Sequence, residues 1–265
     1  MKAQNTFVTK RTGRGTKEWS DFSYNICRGC EHGCLYCYAK SNAGRFSEEM
    51  RRPGRWQKQQ LTKKGRLGKE VGRKGVVMFP TSHDITPSFL NESVETIKNL
   101  LKKNKVLIVT KPHLEVIKRL CKELAKQKKK VMFRFTIGSL NENQCAFWEP
   151  GAPKPEERVK SLQHAFNAGF WTSVSIEPML DDNVGTCELV RAVDPYVTDR
   201  IWIGKMQRVP KIRNAHIDGF KIRVAFIKEW QKDENILRLV KTLGANKKVK
   251  WKDSIKKVLE KHKKL

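Results

Sequence analysis

The chain has 265 residues, with 55 Lys and Arg against 27 Asp and Glu, a formal net charge of +28. That length suits one large domain or two small ones. It holds no apolar run near the roughly 18 residues of a membrane helix, and MKAQNTFVTKRTGRG lacks the apolar stretch of a secretory signal, so a cytoplasmic protein with no membrane partner is expected. The charge puts polyanions first among partners, although a solvated lysine-rich surface would give the same total.

Residues 1–20 read as a polar N-terminal segment. A short strand over 22–26 leads into a cluster of cysteines, and 35–50 has a helical pattern with Gly44 as a weak point. Residues 51–75 hold ten Lys or Arg, one acid, five Gly and Trp56, which predicts a basic loop insertion. Strands and helices then alternate. VVMFP (76–80), KVLIVT (105–110), VMFRFTI (131–137), WTSVSIE (171–177) and RIWIG (200–204) read as buried strands. Helical periodicity fills 88–104, 112–128, 155–168 and 183–193 between them. With 22–26 this makes six strands. Alternation of this kind means parallel βαβ units. The expected fold is α/β, an open partial barrel of six βα units over 21–210. From 211 to 265 only helical patterns remain, a basic helical C-terminal extension. Its three amphipathic faces run through Phe220, Val224, Ile227 and Trp230, then Ile236, Leu237, Val240 and Leu243, then Trp251, Ile255, Val258 and Leu259.

Seven cysteines divide unevenly. Cys27, Cys30, Cys34 and Cys37 fall within eleven residues, while Cys121, Cys145 and Cys187 are scattered. An odd total without a secretory signal argues against a disulfide framework and for a reducing compartment. Cys30, Cys34 and Cys37 are spaced C-x3-C-x2-C. Three thiolates on one tight loop suit a [4Fe–4S] cubane with one iron left open to a small chelating molecule. Zinc is the alternative metal. Its ribbons separate two C-x2-C knuckles by roughly 15–20 residues, and only three intervene here. Cys27 reads as a small buried residue rather than a fourth ligand.

The stretch NICRGCEHGCLYCYAK resembles radical S-adenosylmethionine (SAM) enzymes, with Tyr36 as the aromatic before the last cysteine. RGCEHGCLYCYA, MFPTSHDITP, IVTKP and WEPGAPKPEERVKSLQHAFNAGF are similar to the spore-photoproduct-lyase-like branch, related to DNA repair. The resemblance covers about residues 20–205. It implies a partial barrel of the radical SAM type, with a [4Fe–4S] cluster on Cys30, Cys34 and Cys37 and S-adenosylmethionine chelated at the open iron. Reductive cleavage would yield a 5′-deoxyadenosyl radical that takes hydrogen from substrate. It further implies an electron donor such as a flavodoxin or ferredoxin. A monomer is expected.

Strand C-termini are where such folds carry function. Ser82, His83 and Asp84 follow the second strand and are expected at the cofactor, or else Thr81, Ser82 and Asp84 cap the next helix and His83 is a structural donor. Thr110 and Lys111 follow the third strand. By the resemblance Lys111 pairs with the methionine carboxylate, and Tyr36 joins the cofactor site. Arg134 interrupts an apolar strand, and a buried guanidinium needs an anionic partner, here expected to be the cofactor or a phosphate. Glu177 ends the fifth strand, where it would hold ribose hydroxyls or substrate, or pair with Arg134 or Lys111. Spore photoproduct lyases use a cysteine as hydrogen donor beyond the second strand. PTSHD has none there, which leaves Cys145 as candidate donor or as a structural thiol. In the basic loop, Arg51, Arg52, Arg55 and Lys58 are expected to hold phosphates and Trp56 to stack on a base. The resulting expectation is a radical enzyme that repairs or modifies a nucleic-acid base. The alternatives are a radical enzyme on a protein or small molecule, and a non-catalytic metal-cluster protein that binds nucleic acid.

Overall fold

The computed structural model describes residues 7, 15–63, 65, 74–207 and 217–262. Seven strands form one sheet: β1 (Phe22–Ser23), β4 (Val76–Phe79), β5 (Lys105–Thr110), β6 (Val131–Thr136), β7 (Trp171–Ile176), β8 (Ile201–Ile203) and β9 (Val249–Trp251). Every adjacent pair is parallel, and spatial order follows chain order. Right-handed crossovers that always advance in one direction put all their helices on one face and leave the other face concave. Among the described residues β1 pairs only with β4 and β9 only with β8, so the sheet is an open partial barrel. The helices are α1 (Tyr38–Phe46), α2 (Leu90–Leu101), α3 (Leu114–Glu123), α4 (Glu142–Trp148), α5 (Pro155–Asn167), α6 (Asn183–Val193), α7 (Phe220–Trp230), α8 (Asp233–Leu243) and α9 (Asp253–His262). None of the helices among the described residues is long and apolar enough to cross a membrane.

The period of two sorts each strand between the faces. Val131, Phe133 and Phe135 of β6 point to the helix side and pack with Ile117, Leu120, Leu162 and Phe170. Met132 of β6, Leu107 of β5 and Met78 of β4 line the concave side with Phe7. Trp19 also enters the concave side, 5.7 Å ring to ring from Trp202.

The seventh strand is an addition to the sequence expectation. Residues 249–251 lie within a lysine-rich stretch that reads as helical, yet Val249, Lys250 and Trp251 pair with Ile201, Trp202 and Ile203. The free edge of β8 supplies a ladder that no local pattern announces. Ile236, Leu239, Leu243, Ile255 and Val258 join the same core as β7 and β8. Other differences are local. The helix expected over 35–50 is confined to Tyr38–Phe46, because the preceding residues belong to the cysteine loop and Ser47 is extended. Inside 51–75, β3 (Gln60–Leu61) pairs antiparallel with β2 (Cys27–Arg28), while 64 and 66–73 fall outside the described residues.

Candidate cluster and cofactor site

The cysteine loop spans the C-terminal ends of the strands and is held from both sides. Cys30 N donates to Trp56 O at 2.9 Å, Leu35 N to Trp148 O at 2.9 Å and Gly151 N to His32 O at 3.0 Å. Gly29 has a φ of +86°, and a Cβ there would lie 2.6 Å from Trp56 O. A Cβ on Gly151 would lie 2.5 Å from Glu31 O, so the backbone of the Glu-Pro-Gly-Ala-Pro segment presses directly on the loop. Cys37 caps α1, its sulfur accepting from Lys40 N at 3.4 Å.

Cys30 and Cys34 are buried, Cys37 is half-buried, and none is in a disulfide. Burial pushes all three thiols up, Cys34 to about 12. Buried neutral thiols on one loop give up their protons on binding metal, and a soft three-sulfur set fits an iron–sulfur cluster. Cys30 Sγ, His32 and Asp84 also place ligand atoms within 4.8 Å of one another. His32 is spent elsewhere: Nδ1 donates to Asp84 Oδ2 at 2.8 Å, and Nε2 lies 2.9 Å from His113 Nε2. Cys27 sits apart on β2, where its thiol hydrogen-bonds Gln59 and lines an outer cleft of about 390 Å³ beside α1.

Asp84 ties the loop to the sheet. Its Oδ1 accepts from Lys111 N at 2.7 Å and Thr110 Oγ1 at 2.9 Å, while Oδ2 takes His32. Burial opposes the charge, but Lys111 and His32 outweigh it and hold the carboxyl well below its usual range. Thr110 Oγ1 also accepts from Ile85 N at 3.2 Å. Both Asp84 and Thr110 are therefore occupied by the protein, and Asp84 fixes the backbone of Lys111. Lys111 Nζ lies 3.9 Å from Asp84 Oδ2 and 3.9 Å from Glu149 Oε1, beyond hydrogen-bond length. Burial works against its charge, and the Asp84 and Glu149 carboxylates restore it. Among the described residues this ammonium donates no hydrogen bond, which leaves its protons for an anionic ligand.

Glu149 and Arg158 have no role in the sequence reading beyond lying in the motif that carries the resemblance. They form the buried centre of the site. Arg158 Nη1 is 2.5 Å from Glu149 Oε2, and both side chains are fully buried. Arg158 Nε donates to Pro153 O at 2.7 Å. Tyr36 OH donates to Glu149 Oε1, and Lys111 Nζ stands 5.6 Å from the Tyr36 ring. The neighbouring Glu157 accepts from Leu114 N at 2.9 Å, anchoring the start of α3. His113 and Asn25 are further residues with no signal in the sequence. Asn25 Oδ1 accepts from Thr81 N at 2.7 Å and Ser82 N at 3.0 Å. This holds Ser82 at the cleft lined by Cys27, Tyr38 and Trp56. Helix capping by Ser82 or Asp84 is ruled out by distance along the chain, since α2 begins at Leu90.

Several expected site residues lie elsewhere. His83 is a structural histidine: Nε2 accepts from Ile26 N at 3.2 Å and Cys27 N at 3.3 Å, and Nδ1 donates to the Asp84 carbonyl at 3.0 Å. No nitrogen remains for a cofactor. Arg134 finds its anion in the protein. Its guanidinium donates to Asp199 Oδ2 at 3.4 Å and Ser173 Oγ at 3.0 Å, and lies 4.4 Å from the Trp19 ring. Glu177 stays at the concave rim, where its partner is Lys252 at 3.8 Å rather than Arg134 or Lys111. Cys145 is buried in an apolar cluster with Trp148, Leu180, Met206 and Phe220, its thiol 3.6 Å from Ser139 O. That packing encloses the thiol, and burial pushes its pKa up to about 12.

The basic loop divides. Arg51, Arg52 and Lys58 are exposed. Arg55 is turned inward, bonding Glu49 Oε1 at 2.5 Å, Lys58 O at 3.1 Å and Gln60 Oε1 at 2.9 Å. Trp56 is only 3 % exposed and packs with Cys30, Ala39 and Met50. Its indole supports the cluster loop and is not free to stack on a base. Trp56→Ala is expected to destabilise the fold by about 3 kcal/mol, the lower end for a buried tryptophan because its N–H has no partner among the described residues. Denaturant unfolding measures this. The same variant should lose iron faster to a chelator.

A one-way parallel partial barrel with three thiols on one rim loop, two buried and one half-buried, suits an iron–sulfur protein. A family model described as the radical SAM superfamily matches residues 24–194, and the chain belongs to that superfamily. Its members use a [4Fe–4S] cluster and S-adenosylmethionine. Among solved structures, Streptococcus suis SuiB bound to the precursor peptide SuiA has a TM-score of 0.57 and 13% identity, covering 91% of this chain and 51% of SuiB. A mutant spore photoproduct lyase with bound AdoMet and dinucleoside spore photoproduct has a TM-score of 0.52 and 13% identity, covering 90% of this chain and 73% of the lyase. Both likenesses are of fold alone. An uncharacterized protein of Acidianus two-tailed virus, ORF301, is 29% identical over 185 residues, 63% of this chain and 59% of that protein. The chain thus spans between half and three fifths of ORF301 and SuiB.

Proposed function

We propose that this chain is a radical SAM enzyme acting on a nucleic acid, where it repairs or modifies a base. The observation that carries the substrate class is charge: a net +28, with Arg51, Arg52 and Lys58 exposed on the segment that packs against the cluster loop. A duplex substrate would have to present its target nucleotide unpaired at the rim. In this reading Cys30, Cys34 and Cys37 hold the cluster. S-adenosylmethionine, reduced there, supplies the one-electron chemistry that removes a hydrogen atom from substrate. Lys111 offers its uncommitted protons to the methionine carboxylate, and Asp84 fixes the Lys111 backbone that aims them. Glu149 favours the charged form of that ammonium, and Tyr36 and Arg158 hold Glu149 in place. Trp19, Arg134, Lys252 and Trp202 fill part of the concave face and exclude water from it. The electron donor is a flavodoxin or ferredoxin, and the working unit is a monomer.

The test incubates anaerobically reconstituted protein with S-adenosylmethionine, dithionite and mixed DNA and RNA, and looks for the nucleoside that changes mass. No changed nucleoside, with a changed mass in an added peptide mixture, would replace this reading by a protein substrate. The inward-turned Arg55 and Trp56 favour that alternative, since they leave the loop fewer groups for a nucleic acid.

Lys111→Met is expected to weaken binding of S-adenosylmethionine by roughly 10- to 140-fold, the loss of a charge-assisted hydrogen bond of about 1.5–3 kcal/mol. Equilibrium dialysis measures it. Iron content should be unchanged, because Lys111 ligates nothing.

A further inference from the structure

α7 is fixed at the rim of the barrel. Phe220 on its inner side stands 6.0 Å from Trp148, in a cluster that includes Leu35 and Tyr36 of the cysteine loop. Gln231, just past its end, accepts from Met206 N at 2.9 Å and donates to Met179 O at 3.1 Å, residues just beyond β8 and β7. The outward side of a surface helix should be polar. Here Ile222 and Phe226, four residues apart, are 61% and 45% exposed, and Trp230, four residues further on, is half-buried against the inner cluster. The Phe226 and Trp230 rings are stacked, 5.6 Å apart at 12°. Arg223 lies with its guanidinium 5.3 Å from the Phe147 ring. Lys221 and Lys228 are exposed, and the helix's one acid, Glu229, pairs with Lys232 at 2.8 Å.

Apolar rings on one flank of the helix, with Lys221 and Lys228 on the other, complement a ligand with flat rings and anions. A second copy is a poor occupant, because a two-fold contact would set these cations against themselves on two chains of +28 each. We infer that the outer face of α7 is a platform on which an unpaired strand of the substrate stacks its bases, with Phe226 as the principal ring. The inference rests on the nucleic-acid reading above, and names the surface at which that substrate approaches the rim.

Fluorescence anisotropy with a labelled ten-residue oligothymidine on the reconstituted full chain tests it. Phe226→Ala is expected to weaken binding by roughly 5- to 140-fold. The slope of log K against log salt should stay the same, since no charge is removed. Phe226→Tyr, which keeps a ring, should restore binding. Lys221→Glu with Lys228→Glu should reduce the slope. Unaltered iron content and circular dichroism guard against misfolding, and Phe226 is exposed enough for both to hold. Wild-type binding with an unaffected Phe226→Ala would overturn the platform and leave the nucleic-acid reading standing. Wild type that binds no oligonucleotide would overturn both. A wild-type dimer in the ultracentrifuge that Phe226→Ala converts to monomer would overturn the platform in favour of self-association.

Discussion

Replacing Cys30, Cys34 and Cys37 together by alanine is expected to strip the protein of its iron. Anaerobically purified wild type should be brown and carry about four irons per chain. The triple variant should be colourless, with iron at background. Each cysteine is tied to a separate support: Cys30 to the Trp56 carbonyl, Cys34 to the turn that precedes the Leu35–Trp148 bond, and Cys37 to the start of α1. Other buried groups are poorly placed to replace the lost sulfurs, because both His32 nitrogens are engaged and Asp84 accepts from three partners besides the Cys30 thiol. Cys27→Ala should keep all the iron, since its thiol lines the outer cleft. Retained iron in the triple variant, or one zinc per chain in wild type, would overturn the cluster assignment.

The second large effect is expected at Arg158. Removing it leaves the Glu149 carboxylate buried without its nearest counter-charge, which costs about 3–5 kcal/mol. For a domain of this size that lowers Tm by roughly 6–20 °C. Arg158→Ala should show this in calorimetry, together with a weaker hold on S-adenosylmethionine through the loosened Tyr36 and Lys111. Pairing Arg158→Met with Glu149→Gln should recover part of the stability, because no charge is then stranded. A pH dependence follows from Glu149. Burial raises its pKa, but Arg158 and Lys111 outweigh this and hold it below the ordinary carboxylate value. Its contribution is therefore present above the unfolded carboxylate pKa of about 4.3 and lost as pH falls through the lower folded value. An Arg158→Ala variant as stable as wild type would show that the pair contributes nothing.

Where the sequence reading misplaced a residue, the reason was the same each time. Residue type announces what a side chain can do, while its partner comes from elsewhere in the chain. Arg134 was recognisable as a buried cation that requires an anion, but Asp199 is 65 residues away and meets it only across β6, β7 and the approach to β8. His83 sits in the expected turn beside Asp84, and the backbone of Ile26 and Cys27 claims its ring. Trp56 lies in a stretch of cations, and composition cannot tell that its indole turns under Cys30. Glu149 and Arg158 lie nine residues apart in a motif whose likeness is plain, yet their pairing inside the barrel rim has no sequence signature.

The sequence by itself determined the alternation of six strands and their helices, the three-cysteine loop with its metal chemistry, and the position of Lys111 after its strand. Those features are local: hydrophobic period, ligand spacing and strand-end placement are written within about twenty residues. Only the tertiary structure decided that β9 extends the sheet, that Asp84 serves as a bracket, and that α7 turns Ile222 and Phe226 outward at the rim. Those depend on which surfaces meet once the chain closes on itself. A three-residue strand is stabilised by the edge it joins, a buried charge by the partner it finds, and an exposed ring by what the fold leaves uncovered.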